Sequence, residues 1–449
     1  MIHDTSRARR RAAATAAAFL LLVTAASAAD TNWPQWRGPD ATGAAPAGDP
    51  PVKWSEKKNV RWKVPIGGLG SSSPIVWGDL VFVTTAVDTG ERAAAKGEDT
   101  RPEAEQAANP LGAPPEEILS FEVVAFSRAD GSEVWRTSVI EEQPHEGRHP
   151  TGTYASGSPV TDGERLYVSF GSRGVYALDF EGNVLWSRDF GDMTIRYGFG
   201  EGASPTLYRD SLVLNWDHEG DSFIVALDTA TGEERWRVPR DEMTSWTTPL
   251  VVEVDGRAQV ITSATEKVRA YDFETGDEIW TATGMTLNAI PSPMYQDGVA
   301  YLTSGFRGNA MLAIELSGAK GDITGTDHIK WSLDRDTPYV PSALLYKDRI
   351  YFLKLNNPIL TVVDADSGKT VYGPERLSGL RNVYASPVAA ADRVYFVGRK
   401  GEAVVIRHGD ELDILAENQL DDAFDASPAI AGDEIYLRGA EHLYCIAKR

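Results

Sequence analysis

The sequence predicts an all-β chain, an eight-bladed β-propeller of four-stranded antiparallel blades, from three observations. A phrase of Ser-Pro, a short apolar stretch, a Gly/Asp turn and an aromatic strand recurs eight times. A second phrase follows most copies: an apolar strand, Asp, a Thr-Gly-like turn and Trp. The usual spacing is about 41–50 residues, the period of propeller blades. A lone blade cannot bury both faces, so consecutive blades must stack around an axis.

Taken in chain order, residues 1–28 read as an export signal. Arg7, Arg9, Arg10 and Arg11 form a basic start, Ala12–Thr24 an apolar core, and Ala26-Ser27-Ala28 a small-residue cleavage site. A periplasmic or secreted location follows, and no later stretch is apolar enough to span a bilayer. Cleavage would leave 40 basic and 64 acidic residues of the chain's 44 and 65, a net charge of −24 in place of −21. Such a surface repels nucleic acid, and a monomer without a nucleic-acid partner is expected. The single cysteine, Cys445, excludes an intramolecular disulfide and reads as a small buried hydrophobe.

Residues 29–53 carry "NWPQWRGP", in which Trp33 and Trp36 flank a stiff Pro-Gln. They are expected to form a strap whose indoles lie on the propeller exterior or across one mouth. The propeller is assigned to residues 54–449. Its Ser-Pro-type phrases begin at Ser73, Ser158, Ser204, Thr248, Ser292, Pro341, Ser386 and Ser427. The Trp-bearing phrases end at Trp135, Trp186, Trp236 and Trp280, then, after a stretched copy, at Trp331. The sixth ends at Tyr372, and the seventh is degenerate. The eighth unit has only three strands, while Asn59–Val64, with Trp62, matches the missing fourth. That strand is predicted to pair beside Leu443–Ile446 and close the ring, which removes an open sheet edge. The Ala/Glu/Pro-rich insertion at 88–117 reads as a mobile loop of blade 1.

The Ala-Leu-Asp-x-x-Thr-Gly-x-x-x-Trp phrase resembles the tryptophan-docking repeat of pyrroloquinoline quinone (PQQ)-like propellers over roughly residues 54–449. The family joins quinoprotein alcohol dehydrogenases to noncatalytic relatives such as the propeller lipoprotein of outer-membrane assembly, and "WPQWRGP" is similar to the opening of its exported bacterial members. The resemblance implies that Trp62, Trp135, Trp186, Trp236, Trp280 and Trp331 dock between neighbouring blades as scaffold. It also implies what a catalytic member needs: PQQ on the axis over a Trp platform, a vicinal Cys pair, Ca²⁺ held by Glu and Asn, and an Asp base. The Cys pair is absent here.

In an A-B-C-D meander the A–B and C–D turns share one face, and they are uniformly tight in this sequence. The longer B–C loops and D–A crossings share the other, where function is expected. The candidates there are His145, His149, Tyr154, Arg196, Asp217, His218, Glu219, Trp246, Arg307, Asp334, Tyr339, Arg381, Asn382, Tyr384 and Asp425. Alternating Asp217, His218, Glu219 and Asp221 are the candidate metal ligands, with carboxylates for Ca²⁺ or His with acids for a transition metal. The arginines either pair with an anionic ligand or neutralise the acids of this face. The leading reading is a binding and scaffolding module for a protein or small polar ligand. The alternative is a PQQ- and Ca²⁺-dependent alcohol or sugar dehydrogenase, and the third a metal-dependent hydrolase or lyase.

Overall fold

A computed structural model describes residues 31–93, 106–107 and 109–448. The export-signal assignment and residues 94–105 and 108 of the insertion lie outside the described residues. Eight antiparallel sheets surround one axis. Blades 1 to 7 occupy residues 75–142, 160–188, 206–239, 250–283, 294–333, 344–376 and 388–419. Blade 8 combines 429–447 with the N-terminal strand Val60–Pro65. That strand pairs antiparallel with His442–Ala447, with Trp62 opposite Cys445 and Val64 opposite Leu443. Cys445 is fully buried there, where burial pushes its thiol up to about 12 and keeps it protonated.

The two repeat phrases are coupled through space. The indole N–H of Trp62 donates to the Arg128 carbonyl of the next blade (3.0 Å), Trp135 to Phe180 (2.7 Å) and Trp186 to Thr229 (2.9 Å). Trp236 and Trp331 do the same to Phe273 and Ala365. Each of these rings lies on the glycine of the next blade's C–D turn. A Cβ at Gly182 or Gly232 would stand 2.8 or 2.7 Å from the indole, and both glycines have positive φ. The Thr-Gly turn therefore serves both chain reversal and close packing. Trp280 departs from the rule and donates to Gln259 Oε1 of its own blade (3.1 Å). The stretched connection of blade 5 accounts for this. Instead of a tight turn it returns to blade 4, where Gly321–Asp322 forms a fifth strand parallel to Trp280–Thr281 and buries Ile323.

The Ser-Pro serines close a ring around the axis. The Ser73 N–H donates to Ser158 Oγ, Ser158 N–H to Ser204 Oγ, and Ser204 N–H to Thr248 Oγ1. The series continues through Ser292, Ser342, Ser386 and Ser427 and returns to Ser73 Oγ. Each innermost strand thus satisfies a buried donor that a twisted, isolated blade would leave unpaired.

Residues 31–55 cross the tight-turn face. Trp33 is buried and exchanges two backbone hydrogen bonds with Val76 of blade 1 (2.8 and 2.9 Å), and the Pro34 carbonyl accepts from Thr161 of blade 2. Trp36 donates its indole N–H to Ser292 Oγ of the ring (3.0 Å). Arg37 is buried on three carbonyls, of Thr42, Ala343 and Pro387. Burial without a paired carboxylate pulls it down to about 9, still cationic at neutral pH. Gly43 and Ala45 then bond to Ala389 of blade 7, before the chain enters blade 8.

The insertion differs from a plain loop. Its base continues the blade 1 ladder as far as Arg92 opposite Glu117. Its far arm lies against blade 2 and 3 crossings, with the Leu111 N–H on the Tyr197 carbonyl (3.4 Å) and Gln143 Nε2 on the Pro115 carbonyl (2.6 Å).

Candidate functional site

The long-loop face opens into an axial cavity of about 410 Å³. The serine ring forms its throat and Trp36 its floor. Trp36 and Ser292 also bound a second, broader cavity of about 940 Å³ on the tight-turn side, so the strap indole separates the two. The D–A crossings and one B–C loop supply an aromatic wall of Phe199, Trp246, Phe306, Tyr339 and Tyr384.

Local contacts hold these rings. The Trp246 indole donates to the Gly200 carbonyl (2.7 Å), and its backbone N–H to Ala289 (2.9 Å). Phe306 stacks on Tyr339 with centroids 5.0 Å apart and planes at 25°. His149 stands edge-on to Phe199 at 5.3 Å, with Nδ1 hydrogen-bonded to the Thr151 hydroxyl (2.8 Å). Arg399 lies 4.0 Å over the Tyr384 ring and makes a bidentate pair with Asp425 (2.5 and 2.8 Å). Burial raises the Tyr339 hydroxyl above its ordinary value, so it stays protonated at neutral pH.

Five of the expected residues therefore meet at this cavity: His149, Trp246, Tyr339, Tyr384 and Asp425. Three others, His145, Tyr154 and Asp217, line an adjoining cleft of about 50 Å³ among blades 1 to 3, which shares Glu201 and Trp246 with the cavity and has room for little more than a water molecule. Arg196 and Arg307 stand at the mouth over Tyr197 and Phe306, at 5.5 and 5.4 Å. Asp334 and Asn382 are exposed on the crossings, and Arg381 lies 3.5 Å from Glu402 with most of its side chain in solvent. Sequence reasoning missed Phe199, Phe306 and Arg399, and it left Trp36 either on the exterior or across one mouth, where the structure puts it on the axis at Ser292. The adjacent pairs Arg196-Tyr197 and Phe306-Arg307 were the legible signal for an aromatic and basic rim.

The candidate metal ligands Asp217, His218, Glu219 and Asp221 do not form a compact cluster among the described residues. Asp217 is wholly buried in a bidentate pair with Arg240 (2.7 and 3.1 Å) and also accepts from Ser245 Oγ (2.7 Å) and Asn215 Nδ2 (3.0 Å). His218 Nδ1 accepts the Thr194 N–H, and burial holds its pKa below the ordinary histidine value. Glu219 is spent on the N–H and hydroxyl of Thr244, while Asp221 is exposed. A strand-end alternation sends these side chains to different surroundings. The one compact acid–histidine group among the described residues is His145, Glu146 and Glu201, whose ligand atoms all lie within 4.8 Å of one another. Its atoms are already engaged: Glu201 by the Ser172 N–H and hydroxyl, Glu146 by the Ile195 N–H, and His145 Nε2 by the Met193 carbonyl. Burial raises the Glu201 carboxyl, which favours its protonated form.

The axial cavity also fits PQQ poorly. The quinone carries three carboxylates that need cations within the pocket. Among the described residues no Lys or Arg lines it, and the adjacent Arg399 is taken by Asp425. Nor do a glutamate and an asparagine converge there for Ca²⁺; Glu201 is turned to Ser172.

Solved propellers resemble the chain over most of its length. BamB from Moraxella catarrhalis matches with a TM-score of 0.53 and 14% identity, covering 75% of this chain and 95% of that one. A quinohemoprotein alcohol dehydrogenase from Comamonas testosteroni matches with a TM-score of 0.60 and 10% identity, covering 93% and 81%. At such identities the likeness carries the fold alone. No curated protein matches in sequence. The model of a protein family described as outer membrane protein assembly factor BamB matches residues 120–283 and 220–449. With its eight four-stranded blades, its inter-blade indoles and that match across more than half its length, the chain belongs to this PQQ-like β-propeller family.

Proposed function

We propose that the chain is an exported binding and scaffolding module that receives a protein partner, or a small ligand, in the axial pocket of its long-loop face. The observation that carries this reading is the pocket itself: about 410 Å³, aromatic-walled, open at one end and stopped by Trp36 at the other. Pockets of this size and character bind by burying apolar surface. Aromatic side chains on rigid loops are also what the centres of protein interfaces favour. At the aromatic wall the Asp425 carboxylate is already closed by Arg399. The matched family is named for an assembly factor, and assembly calls for a protein partner.

The test is site-specific photocrosslinking in the native envelope, with benzoylphenylalanine in place of Tyr339 at the pocket and of Leu185 on an outer strand. A discrete adduct from position 339 and not from 185 is expected. Equal patterns from both positions, or adducts only from 185, would remove the long-loop face as the binding surface.

A further inference from the structure

The pocket interior and its rim differ in charge, and the difference identifies a ligand. Resting on the binding reading above, we propose that the long-loop face recognises an acidic protein segment, which places an apolar or aromatic side chain in the axial pocket and its carboxylates on the rim arginines.

Most arginines of this acidic chain are consumed by its own carboxylates. On the tight-turn face Arg209 holds Glu253 and Glu274, Arg235 holds Asp210 and Asp228, and Arg349 holds Asp348, Asp364 and Asp410. The long-loop rim is different. Arg148, Arg196, Arg307 and Arg335 make no ion pair with a carboxylate among the described residues. Arg148 donates to the Gly152 carbonyl (2.7 Å) and Arg196 to Met243 Sδ (3.6 Å), while Arg307 and Arg335 are exposed. In a chain with 65 acids and 44 bases, four guanidinium groups left without a carboxylate on the loops of this face are charge available to a partner. Of the two roles the sequence leaves open for Arg196 and Arg307, their lack of a carboxylate partner favours pairing with an anionic ligand.

Their seating adds direction. Arg148, Arg196 and Arg307 lie over Tyr154, Tyr197 and Phe306 at 5.3, 5.5 and 5.4 Å. The neighbouring ring restrains each guanidinium without neutralising it, which lowers the rotamer entropy lost when a carboxylate binds. Phe306 and Tyr339 also line the pocket, so one aromatic cluster serves both the apolar interior and the basic rim. A free tricarboxylate does not meet this arrangement, because the interior offers no cation. A peptide with a central apolar residue and flanking Asp or Glu does.

Isothermal titration of the purified protein tests this with three blocked pentapeptides: Glu-Asp-Phe-Asp-Glu, its Gln/Asn counterpart, and a version with Lys at the four charged positions. The acidic peptide should bind about 10-fold more tightly than the neutral one at about 0.02 M salt, and the gap should narrow at about 0.2 M as screening grows. Arg307→Gln and Arg335→Gln, both at exposed positions, should each weaken the acidic peptide about 2–5-fold and the neutral one by less. Equal affinity for acidic and neutral peptides, or preference for the Lys peptide, would overturn the charge assignment while leaving a pocket that binds. If none of the three binds, the pocket reading falls with it.

Discussion

Replacing Asp217 by Ala separates a structural carboxylate from a metal ligand. Asp217 and Arg240 have no exposed side-chain surface. Removing the carboxylate leaves a guanidinium that keeps only Thr262 Oγ1 and Tyr271 OH, each at 2.8 Å. It also strips acceptors from Ser245 and Asn215. Breaking one partner of a buried pair costs about 3–5 kcal/mol. The unfolding entropy is about 2.1 cal/mol/K per residue, or roughly 0.8 kcal/mol/K for a propeller of this size. The melting temperature should therefore fall by about 4–6 °C, read by differential scanning calorimetry. Asp217→Leu combined with Arg240→Met should recover part of the loss, since the stranded charge leaves with its partner. Metal content by mass spectrometry should be unchanged in both variants. A shift below about 1 °C, or loss of a stoichiometric metal from Asp217→Ala, would refute the reasoning.

Three further outcomes follow from the same physics. Trp33→Ala removes a fully buried indole from the seam between strap and blade 1 and should cost about 3–5 kcal/mol, measured by denaturant unfolding. Ser386→Ala leaves the Ser342 N–H without its acceptor at 2.9 Å and should cost about 1–3 kcal/mol, whereas Ser386→Thr should retain most of the stability. His218 has its folded pKa below the unfolded one, so its contribution is present above the ordinary histidine value and is lost as pH falls through the folded pKa. Melting temperature should drop more steeply below about pH 6.5 in the parent than in His218→Gln, and identical pH profiles would remove His218 as a contributor.

The fold was legible because its signals are local and repeated. A Ser-Pro phrase and a Thr-Gly-Trp phrase lie within one blade each, and their periodic return exposes the ring. The closing strand was legible for the same reason, since Trp62 keeps phase with the other indoles. The fifth strand at 321–322 was not, because pairing with Trp280 depends on where a stretched connection travels rather than on its composition. The site was legible only in part. Asp217 looks like a ligand in a run of acids, and nothing in that run shows that Arg240, 23 residues on, has neutralised it. Trp36 reaches Ser292 across 256 residues, a contact with no periodic trace. Tyr339, Tyr384 and Trp246 were found because their loops are long for a propeller, which marks a face but not the direction of each ring.

The pairing of Val60–Pro65 with His442–Ala447 also has a consequence in time. The two partners are separated by nearly the whole propeller, and at a synthesis rate of about 5–20 residues per second the first waits roughly 20–80 s for the second. During that interval blade 1 has no neighbour on one side and the newest blade none on the other.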